Sequence, residues 1–147
     1  NGSITLDLGN SQDLVVNTGN STLFEDDSSF DVNGDDSFNL DELAAGSEFL
    51  KIEAFLNDSG QLVATSVERE DLGGQETHLE APIDSFNADV SVTLLGITYT
   101  VHAGTTYELN DVVSNGTDFF NALGVNSVVK VKDAEPNGTA EELDLED

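Results

Sequence analysis

Between residues 31 and 42 the chain reads Asp31-Val32-Asn33-Gly34-Asp35-Asp36-Ser37-Phe38-Asn39-Leu40-Asp41-Glu42, with oxygen-bearing side chains at alternate positions and a carboxylate at the end. A hard divalent cation wants about six to eight oxygens at one point, and alternate side chains of a tight turn deliver several with little rearrangement. Counted from Asp31, the residues Asp31, Asn33 and Asp35 take positions 1, 3 and 5, and Ser37 offers its backbone carbonyl at 7. Phe38 supplies the apolar residue at 8, Asn39 stands at 9, and Glu42 is the two-oxygen ligand at 12. Calcium is the ion this set fits. Asp36 stands where a glycine normally makes the sharp bend, and no long flanking helix is evident. The competing reading is a solvated loop in a chain already about one-fifth acidic.

Other chemistry is thinner. Cysteine is absent, which removes disulfides, thiol nucleophiles and thiolate metal sites. His78 and His102 each stand alone, at the start and the end of strand-like runs, which fits a surface or packing role. No serine sits in a nucleophile elbow, and carboxylate pairs carry no signal in so acidic a chain, so an enzyme is not expected. Eight Phe against two Tyr and no Trp reads as core filling rather than a sugar-stacking platform. Asn-x-Ser/Thr sequons begin at Asn1, Asn20, Asn57, Asn115 and Asn137, acceptors for N-glycans in a glycosylating host.

Thirty acidic residues oppose four basic ones, a net charge of −26, which repels nucleic acid and anionic membrane faces. No apolar run approaches the length of about 18 residues needed to span a bilayer, so membrane insertion is not expected. Opening on Asn1 rather than Met, the chain reads as a processed product or an excised piece. A surface this acidic and poor in lysine stays hydrated where salt or calcium screens its self-repulsion, which points outside the cell, to a marine or saline host.

Holding the acidic loop in place falls to β-strands. Val90, Val92 and Leu94 alternate with Ser91 and Thr93, and beyond Gly96 the residues Ile97, Tyr99 and Val101 alternate with Thr98 and Thr100, a hairpin. A weaker echo lies around Gly19, between Leu14–Val16 and Thr22–Phe24. Later pairs run 48–56 with 61–69 and 127–133 with 139–146, turning at Asp58-Ser59-Gly60 and Asn137-Gly138. Between the hairpins lie Leu40–Ala45 before Gly46 and Thr117–Leu123 before Gly124, short helical stretches with glycine expected as the left-handed cap. At an offset of 77 residues Val15 matches Val92, Gly19 matches Gly96 and Phe30 matches Tyr107; at 79, Leu50, Lys51 and Ile52 match Val129, Lys130 and Val131. The organisation expected is therefore two copies, 1–71 with the acidic loop 31–42 and 77–147, joined by the linker 72–76. The fold class is all-β, two tandem small β-barrels of about five strands and one helical turn each, with Leu50, Ile52, Val129 and Val131 inward and Lys51 and Lys130 outward.

The segments Val92–Val101 followed by Gly104–Tyr107, and Leu40–Gly46 followed by Asp58–Glu68, resemble the tandem small β-barrel repeats known only as a domain of unknown function in bacterial exported proteins and lipoproteins. The opening Asp31-Val32-Asn33-Gly34-Asp35 is similar to the calcium loop of dockerins and EF-hands. The family resemblance covers nearly the whole chain and implies an exported, non-enzymatic barrel like the oligonucleotide/oligosaccharide-binding (OB) fold. Two uses compete: an extracellular spacer, stalk or fibre subunit that self-associates, or a module that binds a cell-surface glycan or protein across a barrel face.

Overall fold

The computed structural model describes residues 2–29, 31, 34–43, 49–71 and 76–146. Within them, in chain order, lie β1 (Gly2–Asp7), β2 (Asp13–Thr18), β3 (Leu23–Asp26), a 3-10 turn (Leu40–Glu42), β4 (Phe49–Leu56), β5 (Leu62–Glu70), β6 (Thr77–Asn87), β7 (Ser91–Leu94), β8 (Ile97–Thr100), β9 (Thr106–Leu109), β10 (Val112–Ser114), α1 (Gly116–Ala122), β11 (Val128–Asp133) and β12 (Glu142–Glu146). The fold is all-β, with a single short α-helix among the described residues. Two compact units divide the chain, Asn1–Leu6 with Leu14–Gly73 and Asp7–Asp13 with Gly74–Asp147. The expected linker positions 72–75, with Asn1, Phe30 and Ala44–Gly46, lie outside the described residues.

In the first unit β5 is the hub. It pairs antiparallel with β4, from Phe49 opposite Glu70 to Leu56 opposite Leu62, across a bulge at Glu53/Ala54. It also runs parallel to β3, with Phe24 opposite Val67 and Asp26 opposite Arg69, and meets β2 at Asn17 opposite Val63. The turn from β4 to β5 closes on Gly60, whose φ of +73° costs a residue without Cβ little, while Asn57 Oδ1 accepts from the Ser59 and Gln61 amides. The alternation of β2 buries Leu14, Val16 and Thr18, and Ile4, Phe38, Ala64 and Val67 complete this core.

The second unit has the strand order β10-β9-β12-β11-β6-β7-β8, with one further parallel bridge from Thr100 to Thr139. Its longest strand, β6, pairs with β11 along Thr77–Pro82 and with β7 along Ile83–Asn87. The β7–β8 hairpin turns on Leu95 and Gly96, both at positive φ, as the period-two reading placed it. Phe119 and Phe120 of α1 pack edge to face at 5.4 Å and are buried with Val92, Leu94, Tyr99, Val129, Val131, Leu143 and Leu145. Asn115 caps α1 by accepting from the Asp118 amide at 3.0 Å. The helix does not end on a left-handed glycine: its C-cap is Leu123 in extended conformation, and the positive φ falls on Asn126.

Shared hydrogen bonds fix how the copies correspond. The Gly19 amide donates to Thr22 Oγ1, which donates to the Ala64 carbonyl at 2.8 Å; the His102 amide donates to Thr105 Oγ1, which donates to the Ala140 carbonyl at 2.7 Å. The bridge Asn17–Val63 likewise matches Thr100–Thr139. Strands β1, β2, β3, β4 and β5 therefore answer to β7, β8, β9, β11 and β12, and Phe24 rather than Phe30 answers to Tyr107. The expected offset of 77 fails here because an apolar alternation of period two superposes on itself at many offsets. Leu50 to Val129 and Lys51 to Lys130 hold, since Lys51 faces Glu68 as Lys130 faces Asp144. Five strands were expected in each unit. Among the described residues the first has five and the second seven, the additions being β6 and β10. Val129 and Val131 are 0% and 1% exposed, Leu50 and Ile52 are half-buried, and Lys51 is outward, bound to Glu68 at 2.8 Å.

Candidate metal site

The acidic loop springs from Asp26, the last residue of β3, which is 2% exposed. Its Oδ1 accepts from the Ser28 amide at 3.0 Å and from Ser28 Oγ at 2.5 Å; its Oδ2 accepts from Arg69 Nε at 2.9 Å and from Arg69 Nη2. Arg69 is 5% exposed, and its guanidinium lies 5.0 Å from the centre of the Phe38 ring, which packs edge to face on Phe24 at 5.3 Å. One buried ion pair thus pins the start of the loop and, through Phe38, its end. The Asp26 amide donates to the Asp36 carbonyl at 3.1 Å, and Ser29 donates twice to Asp71 Oδ1 at 2.8 Å. Those two bonds hold the Asp71 carboxyl below its ordinary pKa.

Arg69 holds the Asp26 carboxyl down to about 2, more than burial pushes it up, with Ser28 helping. Because the folded value lies below the ordinary 3.8, this group stabilises the unit fully above pH about 4, and that contribution fades as pH falls through about 2. The urea midpoint of the first unit should therefore decline from pH 5 to pH 2, and the doubly substituted Asp26→Leu/Arg69→Leu chain should show a shallower decline in parallel titrations.

Within the loop, Asp31 is central. Its Oδ1 accepts from the Gly34 amide at 2.8 Å and its Oδ2 from the Asp36 amide at 3.1 Å. Asp35 Oδ1 accepts from the Ser37 amide at 3.2 Å and from Ser37 Oγ at 3.0 Å. The bend is made without glycine at position 6: Gly34 has φ +69° and Asp36 itself takes φ +53°, a conformation that Asp tolerates better than most residues. Asp35, Asp36, Ser37, Asn39 and Glu42 are exposed and Asp31 is half-buried. The structure brings Asp31, Asp35 and Ser37 into one hydrogen-bonded turn. Glu42 Oε2 accepts from the Asn39 amide at 3.0 Å and caps the 3-10 turn. Asn33 lies outside the described residues.

A second acidic group was not read from the sequence. Carboxylate oxygens of Glu108, Asp111 and Asp144 lie within 4.8 Å of one another, with Asp144 3% exposed and accepting from the Asp111 amide at 3.4 Å. Burial raises the Glu108 pKa, with Glu142, Asp144 and Asp111 adding to it. Asp144 stands opposite Glu108 of the neighbouring strand β9, and Asp111 meets it at the β9–β10 turn.

The histidines have local partners, His78 Nε2 with Glu76 at 3.2 Å and His102 Nδ1 with the Gly104 amide at 3.0 Å. Three sequon asparagines, Asn57, Asn115 and Asn137, spend their side chains on turns, while Asn20 is exposed beside the Gly19–Thr22 turn and Asn1 is outside the described residues. Among the described residues no helix is long and apolar enough to cross a membrane. The model of the family described as Domain of unknown function (DUF5666) matches residues 1–68 and again 80–142. No curated protein and no solved structure matches the chain.

Proposed function

We propose, for a chain that belongs to this family of unknown function and carries its domain twice, a non-enzymatic structural role outside the cell, with calcium taken up by the loop Asp31–Glu42. The observation that carries the reading is the folding of the loop around Asp31, whose two oxygens gather the Gly34 and Asp36 amides while Asp35 and Ser37 crowd the same turn. A loop already bent pays less ordering entropy when an ion arrives. The charge of −26 supports a saline or calcium-rich exterior, where screening relieves self-repulsion. Exposed aromatic side chains among the described residues are Phe55 in the first unit and Phe86 in the second, one apiece, which favours a spacer or stalk over a glycan-stacking face.

Melting curves test both parts. Tm should climb as NaCl rises from low to molar concentration, and a flat or falling curve removes the argument for a saline exterior. Millimolar calcium should raise Tm beyond NaCl of equal ionic strength, by the mass-action term of about 2.7 kcal/mol at a hundredfold excess over Kd. Magnesium should do much less, since it demands tight octahedral geometry and sheds water reluctantly. Equal responses to calcium and to matched NaCl would reduce the effect to diffuse screening.

A further inference from the structure

When the two units are matched through their shared hydrogen bonds, two strands of the second, β6 and β10, have no counterpart among the described residues of the first, and β6 is the one inside the sheet. Strand β6 lies between β7 and β11. Their counterparts β1 and β4 each end their pairing: among the described residues β1 neighbours only β2, and β4 only β5. Burial shows the consequence. Across from Val129 and Val131 in β6 stand Ala81 and Leu79, both buried, and the two valines are sealed. The corresponding Leu50 and Ile52 are half-buried, and further along the same strand Phe55 and Leu56 are 51% and 56% exposed. Charge follows the same pattern: Glu80 of β6 stands opposite Lys130, and Lys51 is the residue of β4 that answers to Lys130.

We propose that the first unit is a strand acceptor, in which an extended segment of another polypeptide adds antiparallel to β4 as β6 adds to β11. The chemistry of the segment is that of β6, small and branched apolar residues at alternate positions opposite Leu50 and Ile52, with an acidic residue between them facing Lys51. Main-chain bonds to the β4 edge hold it, and the alternate apolar side chains set its register. The proposal rests on strand pairing and burial and is independent of calcium at the acidic loop.

The probe is a labelled peptide of the β6 sequence, Thr-His-Leu-Glu-Ala-Pro-Ile-Asp-Ser-Phe-Asn, added to the full chain in molar NaCl so that net charge does not repel it. Anisotropy should show saturable binding, and amide exchange across Phe49–Leu56 should slow by about tenfold or more as the free edge gains ladder bonds, with β11 unchanged. A peptide carrying Leu79→Asp and Ala81→Asp should not bind. The proposal is overturned by absence of binding at millimolar peptide, by equal binding of both peptides, or by exchange changes at β7 and β11, which would mean that the peptide displaces β6 of the second unit.

Discussion

Replacing Asp26 by Ala is expected to cost the first unit about 3–5 kcal/mol in urea unfolding, because it leaves the Arg69 guanidinium buried without its counter-charge. The loss should come with loosening of the acidic loop, whose Ser28 bonds end on the same carboxylate. The second unit supplies the control. At the positions where Asp26 faces Arg69 it has Leu109 facing Leu145, so an apolar pair suits the same site in the same architecture. The double substitution Asp26→Leu/Arg69→Leu should therefore recover to within about 1 kcal/mol of the parent or exceed it, since replacing a buried ion pair by packed apolar residues is often neutral or stabilising. The two units need separate transitions in the fit. A single-mutant loss under about 1 kcal/mol would place the pair among surface salt bridges.

Gly9→Ala should damage the second unit comparably. Residues Asp7–Asp13 belong to that unit, and a Cβ on Gly9 would overlap the carbonyl of Pro136, which as main chain cannot rotate aside. Gly9 also has φ +80°, so the substitution adds backbone strain to overpacking, and a loss of about 3 kcal/mol is expected. Gly19, with negative φ and open space around its Cβ position, is the comparison: Gly19→Ala should be nearly silent. Urea midpoints of the three chains decide it, and equal midpoints would mean that the Gly9 turn is not held against Pro136.

Much of this architecture was legible because alternation of apolar residues announces strands, and the Asp-Ser-Gly, Asn-Gly and Leu-Gly turns announce hairpins. The β4–β5, β7–β8 and β11–β12 pairs were read in this way. The correspondence of β3 with β9 was not, because its evidence is the bond from a threonine hydroxyl, Thr22 or Thr105, to a carbonyl far along the chain. The segments around Gly19 looked like a hairpin, yet β2 and β3 both pair with β5, and β2 takes β1 as its hairpin partner. At the site, the ligand spacing was visible but the pinning pair Asp26–Arg69 was not. In a chain this acidic no single aspartate stands out, and the signal for the pair was only an arginine at an inward position of a strand. The meeting of Glu108, Asp111 and Asp144 depends on β9 pairing with β12, a strand far along the chain, which no local pattern encodes.

Titration calorimetry with calcium chloride tests the central reading most directly, using the parent chain, Asp31→Ala and Glu108→Gln in molar NaCl. The account predicts one calcium per chain for the parent and for Glu108→Gln, and no binding heat for Asp31→Ala, whose loop has lost the carboxylate around which it folds. Parent-like heat from Asp31→Ala would contradict it, and heat lost instead in Glu108→Gln would move the ion to the second unit's acidic group.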